Sequence, residues 1–376
     1  MIIGILGGGQ LGRMLVQEAS RLDLDVVVMD KEKNYPAPNI WPHFVQGDFT
    51  NYDDVINFGM QCDVITIEIE SINVEALKYL QSQGKNVYPQ PEVIEIIADK
   101  GFQKQFYKDN NIPTSDFRIV NSEDVKSYNF DSSIFKPFVQ KLRTGGYDGK
   151  GVQLIHDIEA LENIWIAPSV FEELINIEKE ISIIVCRNTE GKIVAYPCVE
   201  MEFHPTANLV EFLFCPSTLT EDQENEAKAI AIKIAEKLGI VGLLAVEMFV
   251  DINGKILVNE VAPRPHNSGH NTIEASYTSQ FEQHLRAIAD LPLGNTESIL
   301  PSVMINLLGE LGYEGETCYL GLANVLAIDG VYPHLYGKKQ TKPMRKMGHI
   351  TIIDNDLQKA FDKARKVKNL IKIVST

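Results

Sequence analysis

Residues 244–260 read LAVEMFVDINGKILVNE, in which two apolar runs flank the dipeptide Asn253-Gly254. Asn-Gly between such runs is the strongest short-range signal for a β-hairpin with a two-residue type I′ turn. With these two residues at the centre of the turn, Glu247 on the first strand lies directly opposite Glu260 on the second. Opposed residues on one face of an antiparallel pair have Cβ atoms about 5 Å apart. The stretch therefore predicts two carboxylates side by side on a sheet.

Like charges at this separation repel, so a fold keeps them only with a compensating cation or a shared proton. Asn259, next to Glu260, adds an amide oxygen, and a set of oxygen ligands suits Mg²⁺, with Mn²⁺ as the alternative. We therefore expect Glu247 and Glu260 to be metal ligands. In the competing interpretation the register differs by one residue, and one of the two glutamates faces solvent.

The composition is that of a globular protein, since the chain has 376 residues, enough for two or three domains with buried cores. Its 51 acidic and 35 basic residues give a formal net charge of −16, which argues against nucleic-acid binding. No run of eighteen apolar residues occurs, so no membrane span is predicted. No signal-peptide pattern is found, and five dispersed cysteines suit reduced thiols. We expect a cytoplasmic protein.

The first hundred residues alternate between strand and helix patterns. A strand over Ile2–Leu6 runs into three glycines, and a second strand ends at Asp30. The spacing Gly7-x-Gly9-x-x-Gly12, with Asp30 beyond it, fits the dinucleotide fingerprint. The same turn binds any anion at a helix N-terminus, so a mononucleotide phosphate fits equally well. The pattern predicts a doubly wound parallel domain that ends near residue 98.

Beyond residue 99 the texture changes. Strand patterns cover residues 137–143 and 151–155, and a long helix begins at Thr220, where Thr220-x-x-Gln223 is a capping box. Gly239 is expected to end that helix. A third unit begins near Leu300 and closes with an amphipathic helix that starts near Leu357.

Residues 144–151 read TGGYDGKG, with four glycines in eight residues between two predicted strands. The backbone N–H groups of such a loop can point at a polyphosphate. The loop does not match a Walker A motif, which requires glycine where Thr144 stands and Ser or Thr where Gly151 stands. Lys141 or Lys136 would face the phosphates. The alternative is a mobile surface hairpin.

Two further segments carry candidate ligand contacts. Residues 263–270 read PRPHNSGH and would hold Arg264, His266 and Asn267 near a metal–phosphate centre, unless they only cap the next helix. A basic cluster in this acidic chain predicts a phosphate site rather than a solvated face, and it comprises Lys338, Lys339, Lys342, Arg345 and Lys346.

Together these motifs resemble the N5-carboxyaminoimidazole ribonucleotide synthetases, ATP-grasp enzymes of purine biosynthesis. The resemblance covers essentially the whole chain, and its most specific carriers are the glycine loop and the Arg-x-His-Asn-Ser-Gly-His segment. Other carriers are residues 7–12, 66–70, 172–175, 179–182, 259–260 and 345–349. It implies a mixed α/β and α+β chain and a homodimer. The implied units are a Rossmann-like pre-ATP-grasp domain over 1–98, an ATP-grasp domain over 99–298 with a lid at about 113–172, and a C-terminal domain over 299–376.

The resemblance also implies roles for individual residues. ATP would be bound by the cations Lys100 and Lys141, and its phosphates would be covered by the loop residues Gly146, Tyr147, Asp148, Gly149, Lys150 and Gly151. The adenine would be bound by the hinge residues Glu172, Glu173, Leu174 and Ile175, and the ribose by Glu180. Further ATP contacts would be His204, Asn259 and Glu260. The ribonucleotide would be bound by Gln10, Leu11, Glu68, Asn267, Lys338, Arg345 and Lys346. The family usually has arginine at the position of Lys100.

The implied reaction joins bicarbonate to 5-aminoimidazole ribonucleotide with consumption of ATP, through carboxyphosphate. Arg264, helped by Lys338, would hold the one-carbon acid, and Asp148 and His266 are the candidates for the amine proton. Closure of the glycine loop would exclude water. The alternatives are a formate-dependent glycinamide ribonucleotide transformylase, an NAD-dependent Rossmann oxidoreductase and a non-catalytic nucleotide-binding protein.

Overall fold

The computed structural model describes residues 1–127, 136–146, 150–203 and 210–376. Its α-helices are α1 (Gln10–Arg21), α2 (Tyr52–Gly59), α3 (Val74–Ser82), α4 (Pro91–Ala98), α5 (Lys100–Asp109), α6 (Ser122–Ser127), α7 (Glu221–Leu238), α8 (Thr272–Ala275), α9 (Gln280–Ile288), α10 (Leu322–Leu326) and α11 (Leu357–Leu370). Short 3-10 helices cover Glu159–Asn163 and Asn267–Gly269. Within these described ranges, no helix combines the length and the apolar character needed to cross a bilayer.

The strands are β1 (Ile2–Leu6), β2 (Asp25–Asp30), β3 (Phe44–Gln46), β4 (Val64–Ile67), β5 (Asn86–Val87), β6 (Phe117–Val120), β7 (Phe138–Leu142), β8 (Val152–Ile155), β9 (Ser169–Glu173), β10 (Ile177–Arg187), β11 (Ile193–Ala195), β12 (Val199–Phe203), β13 (Val210–Cys215), β14 (Gly242–Asp251), β15 (Ile256–Ala262), β16 (Ser302–Leu308), β17 (Gly315–Leu320), β18 (Val331–Leu335), β19 (Gln340–Thr341), β20 (Lys346–Ile353) and β21 (Lys372–Ser375).

The N-terminal part is a parallel sheet with strand order β3-β2-β1-β4-β5. The predicted doubly wound domain is therefore confirmed, and β1 has the predicted bounds. Strand β4 ends at Ile67. Glu68 and Glu70 consequently follow the carboxyl end of an interior strand, and open α/β sheets place their ligand contacts at this end of their strands.

The second sheet is a large antiparallel one with the order β15-β14-β10-β12-β13-β16-β20-β18, to which β11 adds by pairing with β10. Helix α7 covers one of its faces, and apolar residues of α7, β10 and β14 form a shared core. The predicted capping box of α7 is present at Thr220 and Gln223, and Gly239 ends the helix with φ +63°. Strands β16, β18 and β20 follow residue 300 and extend this same sheet.

Two smaller sheets are also present among the described residues. The first is antiparallel, has the order β6-β9-β7-β8, and carries the glycine-rich connection between β7 and β8. Because β9 leads directly into the segment before β10, the last residues of β9 connect this small sheet to the large one. The other has the order β19-β17-β21 and packs near the end of the chain.

The hairpin of β14 and β15 corrects one part of the prediction. The two-residue turn is wrong: Asp251 N–H donates to Lys255 O at 3.0 Å, so three residues form the loop, and Gly254 has φ +80°. Three-residue hairpin loops of this kind end in a left-handed residue. The register is therefore offset by one from the prediction as far as Met248, which pairs with Val258. A bulge then restores the predicted pairing of Glu247 with Glu260.

Buried side chains join the N-terminal sheet to the large sheet. His284 of α9 is fully buried, and its Nε2 lies 2.8 Å from Thr66 Oγ1 on β4. Its Nδ1 accepts the N–H of Leu243 on β14 at 3.3 Å, so the neutral ring carries its proton on Nε2. Gln90 forms a second link, because its amide donates to Gly239 O and accepts from Val241 N–H.

Candidate active site

The site is built around the carboxylates of Glu247 and Glu260, which are paired across β14 and β15. Glu180 and Ser182 of β10 lie on the same face of the sheet, since Ser182 pairs with Glu247. Burial and then the neighbouring carboxylates Glu260 and Glu180 raise the pKa of Glu247. Burial alone raises the pKa of Glu180 to about 7, with Lys141 acting in the opposite direction. This concentration of acids favours a bound cation.

Two lysines face the carboxylates across the cleft between the small and the large antiparallel sheets. Lys100, the first residue of α5, contacts Glu260 Oε2, and Lys141 of β7 donates to Asn259 Oδ1 at 2.8 Å. Burial acts to raise the pKa of Glu260, but Lys100 and Lys141 outweigh it and the pKa is lowered. Of the two lysines that the sequence left open, Lys141 points into the cleft and is 8% exposed, whereas Lys136 is exposed.

Glu172 at the end of β9 is held by cations rather than open to the cleft. Lys104 Nζ lies 2.8 Å from its Oε2, Lys141 Nζ lies 3.0 Å from its Oε1, and Ser115 donates to it at 2.7 Å. Although burial favours the neutral acid, Lys141 and Lys104 lower the pKa of Glu172 to about 2. Sequence reasoning missed Lys104, although its position four residues after Lys100 on α5 places both on one helix face.

Three of the four predicted hinge residues line a cavity, whereas Glu172 does not. Glu173, Leu174 and Ile175 border a space of about 220 Å³ together with the tip of the β14–β15 hairpin, which contributes residues 251–253. Leu257 also lines this cavity. An elongated backbone segment beside an apolar side chain can hydrogen-bond the edge of a planar heterocycle and cover its face.

The glycine turn after β1 is already occupied by carboxylates of this chain. Asp30 Oδ2 accepts the Gly8 N–H at 2.6 Å, and the two oxygens of Glu68 accept the N–H groups of Gly9 at 2.9 Å and Gly12 at 2.6 Å. Burial raises the pKa of both acids. In a dinucleotide fold these N–H groups bind the pyrophosphate. The predicted contacts Gln10 and Leu11 begin α1 at this turn.

Arg264 connects the large sheet to the N-terminal sheet. Its Nε lies 2.8 Å from Glu70 Oε1, and its charge acts on the neighbouring Glu68. Glu70 belongs to one of the motifs that carry the family resemblance, but no role was predicted for it. The signal was its spacing from Glu68, because residues i and i+2 after a strand end both reach toward the same edge of the sheet.

His266 lies between this loop and the acidic pair. Its Nδ1 accepts the Ser268 N–H at 3.3 Å, which leaves the proton of the neutral ring on Nε2. That Nε2 lies 3.6 Å from Glu247 Oε1. The Ser268 hydroxyl is further fixed by a hydrogen bond of 2.8 Å to the Ser182 hydroxyl. Ser268 lies in the short 3-10 helix that begins at Asn267. The loop therefore faces the acidic pair.

The basic cluster divides into two parts. Lys338, Arg345 and Lys346 are half-buried, whereas Lys339 and Lys342 are exposed. Lys338 donates to Lys346 O at 2.8 Å, and Lys346 is near enough to Glu247 to act on its pKa. The structure thus places Lys346 within electrostatic range of Glu247, while Arg345 donates to Gln340 O at 2.6 Å.

Some predicted ATP contacts lie outside the described residues, namely Tyr147, Asp148, Gly149 and His204. The flanking residues Gly146, Lys150 and Gly151 are described and connect β7 to β8. Gly151 has φ +77°, and its carbonyl accepts the Leu142 N–H at 2.8 Å.

The donor set fits a metal that arrives with a polyphosphate. Among the residues that the structure describes, no group of three or more His, Cys, Asp or Glu side chains could hold an ion by itself. Glu247 and Glu260 offer two carboxylates, and Mg²⁺ is usually bound by one or two carboxylates plus substrate phosphates.

Family models match three consecutive parts of the chain. They describe a ribonucleotide synthetase preATP-grasp domain over residues 1–98, an ATP-grasp domain over 105–281, and a phosphoribosylaminoimidazole carboxylase C-terminal domain over 302–363. The fold and the cleft between the small and the large antiparallel sheets thus define an ATP-grasp protein.

The relatives narrow this class. A crystal structure of N5-carboxyaminoimidazole ribonucleotide synthetase from Thermotoga maritima is 42% identical, covers 100% of this chain and 99% of its own, and has a TM-score of 0.90. The chain belongs to the N5-carboxyaminoimidazole ribonucleotide synthetase family, as the sequence predicted.

Two other relatives extend the comparison. The synthase from Aspergillus clavatus, solved in complex with ADP and 5-aminoimidazole ribonucleotide, is 30% identical, covers 98% of both chains and has a TM-score of 0.87. The phosphoribosylaminoimidazole carboxylase of Candida glabrata is 38% identical over 95% of this chain, which spans 64% of that relative's length.

Proposed function

We propose that the protein carboxylates 5-aminoimidazole ribonucleotide, with ATP and bicarbonate as co-substrates, to N5-carboxyaminoimidazole ribonucleotide, ADP and phosphate. The observation that carries the proposal is the arrangement around the paired carboxylates Glu247 and Glu260. Lys100 contacts Glu260 and Lys141 contacts the adjacent Asn259, whereas His266 lies beside Glu247 and the charge of Lys346 acts on the pKa of Glu247. A triphosphate and a small anionic acceptor can therefore meet over it.

The chemistry explains why both sets of cations are needed. Bicarbonate is a poor acyl donor because hydroxide is a poor leaving group. Attack of a bicarbonate oxygen on the γ-phosphorus breaks the bond to ADP and gives carboxyphosphate. The amine nitrogen of the ribonucleotide then attacks the carboxyl carbon, either of carboxyphosphate itself or of CO₂ released from it, and phosphate leaves. Each step moves negative charge that fixed cations can stabilise.

Glu247 and Glu260 would hold Mg²⁺, or Mn²⁺ in its place. Such an ion, when bound, neutralises charge on the β- and γ-phosphates. Lys100 and Lys141 would contact the phosphates, with Glu172 keeping Lys141 oriented. The hinge cavity at Glu173–Ile175 suits the adenine, and Glu180, near the paired carboxylates, suits the ribose hydroxyls.

Arg264 would hold bicarbonate and carboxyphosphate, with Lys338 as a helper. Its ion pair with Glu70 orients the guanidinium before substrate arrives. The ribonucleotide would lie against Gln10, Leu11 and Glu68 of the N-terminal domain, and its phosphate against Asn267, Lys338, Arg345 and Lys346. His266 and Asp148 are the candidates for handling the amine proton, and the remaining loop residues would cover the phosphates.

The family resemblance also supports a cytoplasmic homodimer as the working form. The alternative of an NAD-dependent oxidoreductase is disfavoured by a specific contact. Asp30 would have to bind a ribose hydroxyl, but it is 5% exposed and accepts the Gly8 N–H. The formate-dependent transformylase uses similar acyl-phosphate chemistry, but the match to the carboxylase C-terminal domain and to N5-carboxyaminoimidazole ribonucleotide synthetases disfavours it.

The test is ADP formation by the purified protein with each substrate omitted in turn. We expect ADP only when ATP, Mg²⁺, bicarbonate and 5-aminoimidazole ribonucleotide are all present. ADP formation with formate and glycinamide ribonucleotide, or undiminished ADP formation without the aminoimidazole ribonucleotide, would contradict the proposal.

A further inference from the structure

Gln280, the first residue of α9, holds the backbone of His266 from both sides. Its Oε1 accepts the His266 N–H at 2.9 Å, and its Nε2 donates to the His266 carbonyl at 2.7 Å. The side-chain amide thus exchanges one donated and one accepted hydrogen bond with the His266 backbone, as a residue of a neighbouring β-strand would. Gln280 has no exposed surface, so water does not compete for these bonds.

The Gln280 side chain and its two hydrogen bonds to the His266 backbone form a clamp, and this clamp is itself held in place. The Gln280 N–H donates to Thr272 Oγ1 at 2.9 Å, and the Thr272 hydroxyl donates to the Gly269 carbonyl. A Cβ atom on Gly269 would lie 2.5 Å from Gln280 Oε1, so the loop packs closely on the amide. Gln280 also approaches His270 Nδ1 at 3.2 Å. The amide therefore has little freedom to move independently of the loop.

What the clamp orders is the geometry of the His266 ring. The residue is extended, with φ −132° and ψ 154°, and from this backbone its Nε2 reaches to 3.6 Å from Glu247. Arg264 lies two residues before it and Asn267 one residue after it. A shift of the His266 backbone would move all three side chains relative to the paired carboxylates.

The same helix carries a matched control. Gln283 also has no exposed surface, and its amide clamps a single residue, accepting the Gly294 N–H at 2.7 Å and donating to the Gly294 carbonyl at 2.9 Å. Gly294 lies in a connecting segment that contributes no residue to the candidate site. The two glutamines make equivalent hydrogen bonds but hold different loops.

We propose that Gln280 is a positioning residue for the carboxylation step, acting through the backbone of His266 on the Arg264–Asn267 loop. This inference rests on the proposed function for its kinetic readout. A misplacement of about 1 Å remote from the reacting atoms can cost about 10²-fold in rate. Loss of the clamp is therefore expected to lower kcat while ATP binding at the hinge is retained.

The test compares Gln280→Met with Gln283→Met, since methionine keeps the approximate size and removes both hydrogen bonds. We expect Gln280→Met to lower kcat by at least about tenfold with the KM for ATP within about twofold of wild type. Gln283→Met is expected to keep kcat within about twofold while losing comparable thermal stability. Equal kcat values for the two variants would overturn the proposal.

Gln280→Glu provides a rescue. Burial raises the pKa of a carboxyl group, and a neutral acid offers one donor and one acceptor, as the amide does. We expect this variant to exceed Gln280→Met in kcat, and activity no better than that of Gln280→Met would count against the clamp.

Deuterium uptake separates this inference from the proposed function. Gln280→Met should speed exchange in a peptide covering residues 264–270, and Gln283→Met in one covering residues 290–297. If uptake over 264–270 is unchanged, the clamp is refuted whatever the enzyme does. If wild type lacks substrate-dependent ADP formation, the proposed function fails and the exchange result still tests the clamp.

Discussion

Acidification should loosen the junction between the N-terminal sheet and the large sheet, because His284 is buried there as a neutral ring. Burial lowers the pKa of His284 from 6.5 to about 4. Its Nδ1 accepts the Leu243 N–H, and protonation of that atom would break this bond. Thr66, on its other side, lies two residues before Glu68, so the junction supports the segment that carries this proposed ribonucleotide contact.

The sign and the size of this pH effect on stability follow from the pKa of His284. The folded pKa lies below the unfolded one, so the stability that the neutral ring contributes is complete above pH 6.5 and is lost as the pH falls through about 4. One pKa unit corresponds to about 1.4 kcal/mol, so the full shift of His284 is worth about 3 kcal/mol.

The assay is urea denaturation at several pH values between 7 and 4 for wild type, His284→Gln and the exposed-site control His43→Gln. Between pH 6.5 and 4, wild type and the control should each lose about 3 kcal/mol more unfolding free energy than His284→Gln. Contributions from other groups cancel in this difference. Parallel pH profiles for all three proteins would refute the assignment of His284 as a buried neutral ring.

Three further predictions concern the site. Glu260→Gln should abolish Mg²⁺-dependent ADP formation with an unchanged circular dichroism spectrum, since it removes one of the two paired carboxylates; near-normal turnover would exclude the ligand role. Arg345→Ala should raise the KM for the ribonucleotide far more than that for ATP, and equal effects on both would remove Arg345 from the substrate site. Lys104→Met should lower the unfolding free energy by about 3 kcal/mol, because Glu172 loses a buried partner. The control is Lys108→Met, which lies on the exposed face of α5. Identical denaturation midpoints for the two variants would contradict the buried pair.

The hairpin shows where sequence reasoning succeeds and where it stops. The opposition of Glu247 and Glu260 is confirmed, but the turn on which it was based is wrong. The Asp251 carboxylate accepts the N–H groups of Asn253 and Lys255 and so stabilises a longer loop. The compensating bulge lies where residues 113–114 hydrogen-bond the outer edge of β15, a contact between distant parts of the chain.

The contacts that sequence reasoning missed are of the same long-range kind. Glycine spacing predicted an anion at the turn after β1, and the anions present are Asp30 and Glu68 of the chain itself. Glu68 lies 59 residues from Gly9, so no local pattern connects them. Gln280 likewise carries no motif. By contrast, strands, caps and the class of the fold follow from periodicity and from short motifs, which are local properties.

The most direct test of the central claim follows oxygen from bicarbonate. If ATP activates bicarbonate over the Glu247–Glu260 pair, a bicarbonate oxygen attacks phosphorus and leaves with it. Reaction of ¹⁸O-labelled bicarbonate with ATP and 5-aminoimidazole ribonucleotide, followed by mass spectrometry of the phosphate, should then show one ¹⁸O atom transferred per phosphate released. Phosphate that carries oxygen from water alone would contradict the account.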